Sequence, residues 1–299
     1  PATGTPKKYV DIDYVYEETY GSGASTQYLW KTTATPSNGD LDFYWPMDKT
    51  VPLTFYAYAP TTTVTSGPSW TGLTPSTNFK AGGKIQFDYT VPSNVTNTTT
   101  GKRVDAEAQP DILVGSIPSI KRTDSGITNV KDDSRDFCIV PLTFYHALSA
   151  VNFKVDKSIK RNTSFTIHSL TLSGLKAEGT CTYTPPTTSG KHSWDVISWT
   201  DLDGTGSYCQ TYDQSVPATA PATDPALGSA SQTFMLIPQT IGSSGDAQIT
   251  ITYDDTQTKT VALKTVTWLP GKRYTYLLTG NLDAILLTGG LEPYMPDWF

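Results

Sequence analysis

Three histidines are the residues of this chain best suited to proton transfer or metal binding. His146 continues the inward phase of an apolar, strand-like run, His168 lies where such an alternation slips, and His192 lies in a Gly/Lys/Ser loop. A nucleophilic site would need a serine elbow or a second base, and a zinc site would need clustered Cys and His. The sequence has neither pattern, so we predict no enzyme and no cofactor.

Two carboxylate pairs resemble parts of a cation site. Residues 201–204 (DLDG) have the spacing that begins a calcium loop, and residues 254–255 (DD) are a similar pair. A calcium loop also needs a bidentate Glu further along the chain, which neither stretch supplies. Asp-Gly and Asp-Asp are common at hairpin turns. We therefore interpret both pairs as turns and predict no metal.

The chain has three cysteines, Cys138, Cys181 and Cys209. Disulfide scaffolds are short chains with a dense and even set of cysteines, which this chain is not. Cys181 and Cys209 both lie in strand-like sequence and would form a disulfide if their strands are neighbours. Buried free thiols are the alternative, and the sequence leaves both open.

Aromatic and basic residues in loop-like sequence suggest two further interpretations. Trp70, Trp194 and Trp199 could stack on sugar rings, although tryptophan in a β-rich chain more often packs in the core or at its rim. The basic pair Lys102-Arg103 borders a polar loop. It is either a protease-accessible site or a solvated loop end.

Composition predicts an all-β scaffold. Charged residues are 17% of the 299, below the ~25% that is usual, whereas Thr, aromatic residues, Pro and Gly are abundant, as strands and turns require. A net charge of −6 leaves no basic stripe for phosphates, which argues against nucleic acid as a partner. No apolar run is long enough to be a transmembrane helix.

The hexapeptide VPLTFY occurs twice, at residues 51–56 and 140–145. Each copy alternates as a half-buried strand does. The charged residues 121–136 precede the second copy, and we interpret them as an exposed connection. We therefore predict two tandem β-sandwiches, residues 1–136 and 137–299. One-residue slips in the apolar phase near residues 149–150, 167–170 and 263–266 predict β-bulges.

Four stretches occur in a fixed order along the chain: WPMDKTVPLTFYAYAP (45–60), PDILVG (110–115), VPLTFYHALSAV (140–151), and a tail (234–276) that begins with FMLIPQ. Together they resemble the fimbrillin family of Bacteroidales, the subunits of type V pili. The resemblance implies two tandem transthyretin-like Greek-key β-sandwich domains. It also implies export as a lipoprotein precursor and a place in a cell-surface fimbrium attached to the outer membrane.

The resemblance further implies assembly by donor-strand exchange, in which a protease removes an N-terminal strand and a neighbouring subunit fills the groove. A donated strand would pair the exposed backbone and cover the apolar groove. The candidate donor is the apolar C-terminal segment, residues 282–299, with Ile285, Leu286, Leu287, Leu291, Tyr294, Trp298 and Phe299. The alternative is that this segment packs back onto its own chain.

We therefore predict a structural or adhesive subunit of a bacterial fimbrium. Its expected partners are other fimbrial subunits and a host or bacterial surface ligand. The sequence begins at Pro1 without a lipid-accepting cysteine, so we expect a mature or trimmed chain that meets a membrane only through an anchor outside it. The alternative function is a surface glycan-binding lipoprotein module, with Trp70 and Trp199 along one exposed strip.

Overall fold

Strands are the main regular structure of the described chain. The computed structural model describes residues 14–20, 27–32, 50–59, 79–124, 128–132, 135–156, 164–217, 223–241, 246–254, 257–279, 284–287 and 292–293. Within these ranges the two α-helices, α1 (Asp105–Ala108) and α2 (Ser193–Val196), are single turns. Neither is long and apolar enough to cross a membrane. The predicted all-β class is confirmed.

The strands are numbered here in chain order. The first nine are β1 (Tyr14–Tyr20), β2 (Gln27–Thr32), β3 (Leu53–Ala59), β4 (Phe79–Lys80), β5 (Lys84–Thr90), β6 (Leu113–Ile120), β7 (Thr128–Asp132), β8 (Arg135–Ile139) and β9 (Tyr145–His146). The others are β10 (Ser149–Val155), β11 (Phe165–Leu175), β12 (Glu178–Tyr183), β13 (Ile197–Asp203), β14 (Gly206–Val216), β15 (Phe234–Leu236), β16 (Thr240–Ile241), β17 (Gln248–Tyr253), β18 (Gln257–Ala262), β19 (Val266–Thr267), β20 (Lys272–Thr279), β21 (Ala284–Leu287) and β22 (Glu292–Pro293).

The larger sheets join strands that are distant in sequence. Two four-stranded sheets have the orders β14-β11-β17-β18 and β13-β12-β5-β4. A five-stranded sheet has the order β15-β10-β20-β21, with β22 also paired to β20, and a three-stranded sheet has the order β3-β6-β9. Two-stranded sheets are β1-β2, β7-β8 and β16-β19. The parallel pairing of β10 with β20 places the C-terminal part of the chain inside the five-stranded sheet.

Alternating sequence predicts the buried faces well. In β5, Ile85, Phe87 and Tyr89 are buried while the residues between them are half-buried or exposed. The side chain of every second residue of a strand points to the same face, so one face of β5 enters the core. β20 follows the same rule with buried Tyr274, Tyr276 and Leu278.

The slips in apolar phase have two different causes. Within β11, the pairing register shifts between Ile167 and Ser169, so the predicted bulge is confirmed there. The slip at Ser149-Ala150 is instead a change of sheet, because β9 ends before it and β10 begins in the five-stranded sheet. The slip near residues 263–266 likewise separates β18 from β19, which belong to different sheets. Bulges are therefore wrong at the last two places.

The two hexapeptides lie on opposite sides of one strand, β6. The first copy forms most of β3, and Tyr58 in β3 pairs with Val114. The second copy is strand only at its end, where Tyr145 in β9 pairs with the same Val114. The earlier part of the second copy instead crosses β6, because the carbonyl of Thr143 occupies the place of a Cβ on Gly115. A strand over the whole second copy was therefore a wrong prediction.

The division between residues 136 and 137 stays a prediction, and hydrogen-bonded sheets extend across it. β5 pairs with β12 along six residue pairs, and β6 pairs with β9. The buried apolar side chains of the described residues also form one cluster that contains Ile85 and Phe87 together with Leu170 and Tyr276. Any two sandwiches would therefore share strands and core.

Candidate assembly interface

Strand β20 is the rigid support of the C-terminal segment. One edge of β20 pairs with β10, and the hydroxyl groups of its buried tyrosines are hydrogen-bonded. The Tyr274 hydroxyl donates to the Thr267 carbonyl at 3.0 Å and accepts from the Leu269 amide at 2.8 Å. The Tyr276 hydroxyl accepts from Trp268 Nε1 at 3.2 Å, and burial raises the pKa of Tyr276 to about 12. These bonds fix β20 from its core side.

The other edge of β20 is covered by the C-terminal segment itself. Ile285, Leu286 and Leu287 pair with Leu278, Leu277 and Tyr276, in antiparallel register. Of the other predicted donor residues, Leu291, Tyr294, Trp298 and Phe299 lie outside the described residues. The described part therefore shows the C-terminal segment on its own chain, and its role as a donor stays a prediction.

The C-terminal segment pairs with β20 in two short pieces. β21 covers residues 276–279 of β20, and β22 places Glu292 and Pro293 opposite Arg273 and Lys272. The segment has two more residues between these pieces than β20 has between their partners, so the register is interrupted. Pro293 adds a second weakness, since proline has no N–H to donate to the ladder. The described part of this edge strand is therefore two short pieces that do not share one register.

A second surface of interest is the outer face of the β3-β6-β9 sheet. Phe55 in β3 pairs with Ile117 in β6, and both are half-exposed. Phe144, which lies beside Gly115 of β6, is 39% exposed. No residue of β3 is fully buried, whereas Val114 in β6 and Tyr145 in β9 are buried. We call Phe55, Ile117 and Phe144 the β3 face.

The sequence matches the family described as fimbrillin-like over residues 3–293. The chain belongs to the fimbrillin-like family. No curated protein matches the sequence. The predicted family is confirmed by a match that covers nearly the whole chain.

Solved structures similar to this fimbrillin-like protein come from Bacteroides. A "putative cell adhesion protein" from Bacteroides ovatus shares 13% identity over 96% of this chain and 80% of its own, with a TM-score of 0.49. A fimbrial protein from Bacteroides vulgatus shares 18% identity over 93% of this chain and 84% of its own, with a TM-score of 0.43. These scores are too low to carry an argument, so the family assignment rests on the sequence match.

Trp194 and Trp199, two of the three candidates for sugar stacking, make contacts within the fimbrillin-like fold. Trp199 donates from Nε1 to the Ala147 carbonyl at 2.9 Å, and its ring meets Phe87 and Tyr89 edge-on. Trp194 stacks on His192 with ring centroids 4.2 Å apart. Trp70 lies outside the described residues. Trp199 therefore packs at the rim of the core, which is the commoner of its two predicted roles.

Two of the three histidines lie beside aspartates. His146 Nδ1 lies 2.8 Å from a carboxylate oxygen of Asp111, and His168 Nδ1 lies 2.7 Å from Asp213. Asp213 also binds Lys102 at 2.5 Å, and hydrogen bonds from Lys102 and then His168 lower the pKa of its carboxyl. In the described part of the chain, no three His, Cys, Asp or Glu residues converge on a common point. These pairs therefore tie strands and loops together.

The two carboxylate pairs lie at turns, as predicted. Asp203 ends β13, and Gly204 follows with a positive φ of 69°, which favours glycine. Asp254 follows β17 with a φ of 43°, a backbone conformation that Asp adopts more readily than most residues. Asp255 lies outside the described residues. The turn interpretation is confirmed for Asp203 and Asp254.

Of the two alternatives that the sequence left open for Cys181 and Cys209, the structure has the free thiols and not the disulfide. Cys181 lies in β12 opposite Phe87 and Trp199, whereas Cys209 lies in β14 opposite Thr171. These strands belong to different sheets. Cys181 is fully buried, and burial raises the pKa of its thiol. It therefore behaves as a small apolar core residue.

Sequence reasoning missed a buried carboxylate, Asp105. Its carboxylate is fully buried and accepts hydrogen bonds from Arg103 at 2.6 Å and from the amides of Val95 and Cys209 at 2.7 and 2.8 Å. The Arg103 carbonyl accepts in turn from the Thr211 amide at 2.9 Å. The Lys102-Arg103 pair is thus fastened to β14 rather than free in a loop. The signal in the sequence was an arginine two residues before an aspartate, at the point where α1 begins.

Proposed function

We propose that this fimbrillin-like chain is a structural or adhesive subunit of a bacterial cell-surface fimbrium. Its partners are other fimbrial subunits, which it joins by donor-strand exchange, and a surface ligand of a host or another bacterium. The proposal includes no catalysis. Membership of the fimbrillin-like family supports the class of protein, and the broken pairing of the C-terminal segment with β20 supports the mode of assembly.

The C-terminal segment has the properties of a strand that can leave its own sheet. It pairs on one side only, in pieces of four residues and two residues. Short edge strands open more easily than central strands, because few hydrogen bonds and contacts are lost. Release of the segment would expose the backbone edge of β20 and would separate the apolar residues Ile285 and Leu287 from their partners on that strand. A strand in this state is suited to pair with another sheet edge.

The β3 face is the acceptor that the described residues favour. β3 is the edge strand of its sheet, since β6 is its only partner among the described strands. Its half-exposed Phe55, with Ile117 beside it, would be covered by an apolar strand laid along β3. Fully burying one large apolar side chain contributes about 1.5–3 kcal/mol, and these partly buried ones would contribute roughly a third as much or less. Burial on the β3 face would thus offset part of what release from β20 loses.

Complementary variants test this function. Deleting residues 282–299 removes the donor and leaves the acceptor, whereas Phe55→Glu blocks the acceptor and leaves the donor. Neither variant alone should form multimers in size-exclusion chromatography, while an equimolar mixture should form a dimer and nothing larger. Ile285→Asp with Leu287→Asp is a second donor variant that keeps the chain length.

The control is Ser198→Glu. Ser198 is exposed on β13, a strand that belongs to neither the sheet of β20 nor the sheet of β3. This variant should form the same multimers as the parent. Circular dichroism should show the same β-sheet content for all variants. Multimers of normal size from the deletion variant would refute donor exchange through this segment. Failure of the mixture to form dimers would refute the β3 face as the acceptor.

A further inference from the structure

Trp194 in α2 contacts two other side chains through its indole ring. The His192 ring is nearly parallel to the indole, with an interplanar angle of 18° and centroids 4.2 Å apart. The Lys272 ammonium lies 3.7 Å from the centroid of the same indole. The cation–π contact therefore ties α2 to Lys272, the first residue of β20.

A second contact joins α2 to the turn before β20. Gly271 has a φ of +66°, and a Cβ at this position would lie only 2.6 Å from the Cβ of Ser193. The Gly271 amide also donates to the Leu148 carbonyl at 2.8 Å. Only glycine fits this backbone conformation together with this close approach. The start of β20 is therefore clamped at Gly271 and again at Lys272.

The clamped end of β20 is the end that holds the last described piece of the C-terminal segment. Lys272 pairs with Pro293, and Arg273 pairs with Glu292. Because Pro293 has no N–H, pairing here depends strongly on where the β20 backbone lies. The contact of Trp194 with Lys272 fixes the position of the β20 residue that lies opposite Pro293.

We propose that Trp194 and Lys272 form a latch that keeps the C-terminal segment paired with its own chain. Trp194 is a positioning residue that acts through Lys272. This inference rests on the proposed function, since it regulates the strand that would be donated. Loss of the Trp194–Lys272 contact leaves the buried face of β20 packed in the core. It raises the fraction of chains in which the C-terminal segment is not paired with β20.

Hydrogen exchange measures the latch directly. In full-length Trp194→Ala and Lys272→Met, the amides of β21 and Glu292 should exchange about two to five times faster, the factor expected when a cation–π contact is lost. Amides of β11, far from the clamp, should exchange at the original rate. Trp194→Phe and Lys272→Arg keep an aromatic ring and a cation, so both should restore most of the protection.

The outcomes separate the latch from a general structural role. Equal acceleration in β11 and β21 would show that Trp194 only stabilises the fold, and unchanged exchange in β21 would show that no latch exists. Either result would overturn the proposal. Faster exchange in β21 without faster formation of multimers would support the latch and refute the donor role of the segment.

Discussion

Asp105 should be among the most sensitive polar residues of this chain. Its buried carboxylate binds Arg103 and two backbone amides, those of Val95 and Cys209. Replacing it with Ala would leave the amides without their acceptor and Arg103 without its partner. Removing one member of a buried ion pair costs about 3–5 kcal/mol. The Arg103 side chain is 35% exposed, and water can solvate part of it, so we expect the lower end, about 3 kcal/mol.

Urea unfolding followed by tryptophan fluorescence would measure this loss. Asp105→Ala should lower the midpoint without changing the slope, because the folded state keeps its overall surface. Asp201→Asn is the matched control, since Asp201 is exposed at a φ of 52° that Asn also tolerates, and it should change stability by less than about 0.5 kcal/mol. If Asp105→Ala costs no more than this control, the buried network does not stabilise the fold.

Two smaller predictions concern acid stability and close backbone packing. The pKa of Asp213 is lowered by Lys102 and His168, so its contribution is present above the unfolded pKa and is lost as pH falls through the folded pKa. Asp213→Asn should therefore lose up to about 1 kcal/mol at neutral pH, with little difference from the parent in strong acid, by urea unfolding at several pH values. Gly115→Ala should lower the melting temperature, because its Cβ would overlap the Thr143 carbonyl.

Local sequence patterns predicted the strands better than their partners. The alternation of Ile85, Phe87 and Tyr89 sufficed to place β5 and its buried face, because side-chain direction follows from strand geometry alone. The same pattern holds no information about the partner strand. β5 pairs with β12, more than 80 residues later in the chain, and a boundary drawn from composition at residue 136 separates the two. Pairing between distant strands depends on chain topology, which periodicity does not encode.

The errors of sequence analysis share this physical origin. The sequence left open whether the strands of Cys181 and Cys209 are neighbours, and these strands belong to different sheets. The second hexapeptide repeats the sequence of residues 51–56, but its earlier part packs against Gly115 of β6 and only its last residue is in a strand. Asp105 was missed because its partners are backbone amides from a loop and from β14. Every residue type except proline has such an amide, so the amino-acid sequence does not show which amides meet a carboxylate. In each case tertiary contacts outweighed local preference.

The donor-strand proposal requires a C-terminal strand of intermediate stability. If residues 284–293 paired with β20 in one continuous register, the segment would be as costly to open as an ordinary edge strand. If they did not pair at all, β20 would expose its edge to any other strand, which promotes aggregation. Two described pieces whose registers on β20 differ by two residues, held at one end by the proposed latch, would satisfy both limits. Under this proposal the segment opens easily enough for exchange and still protects β20 beforehand.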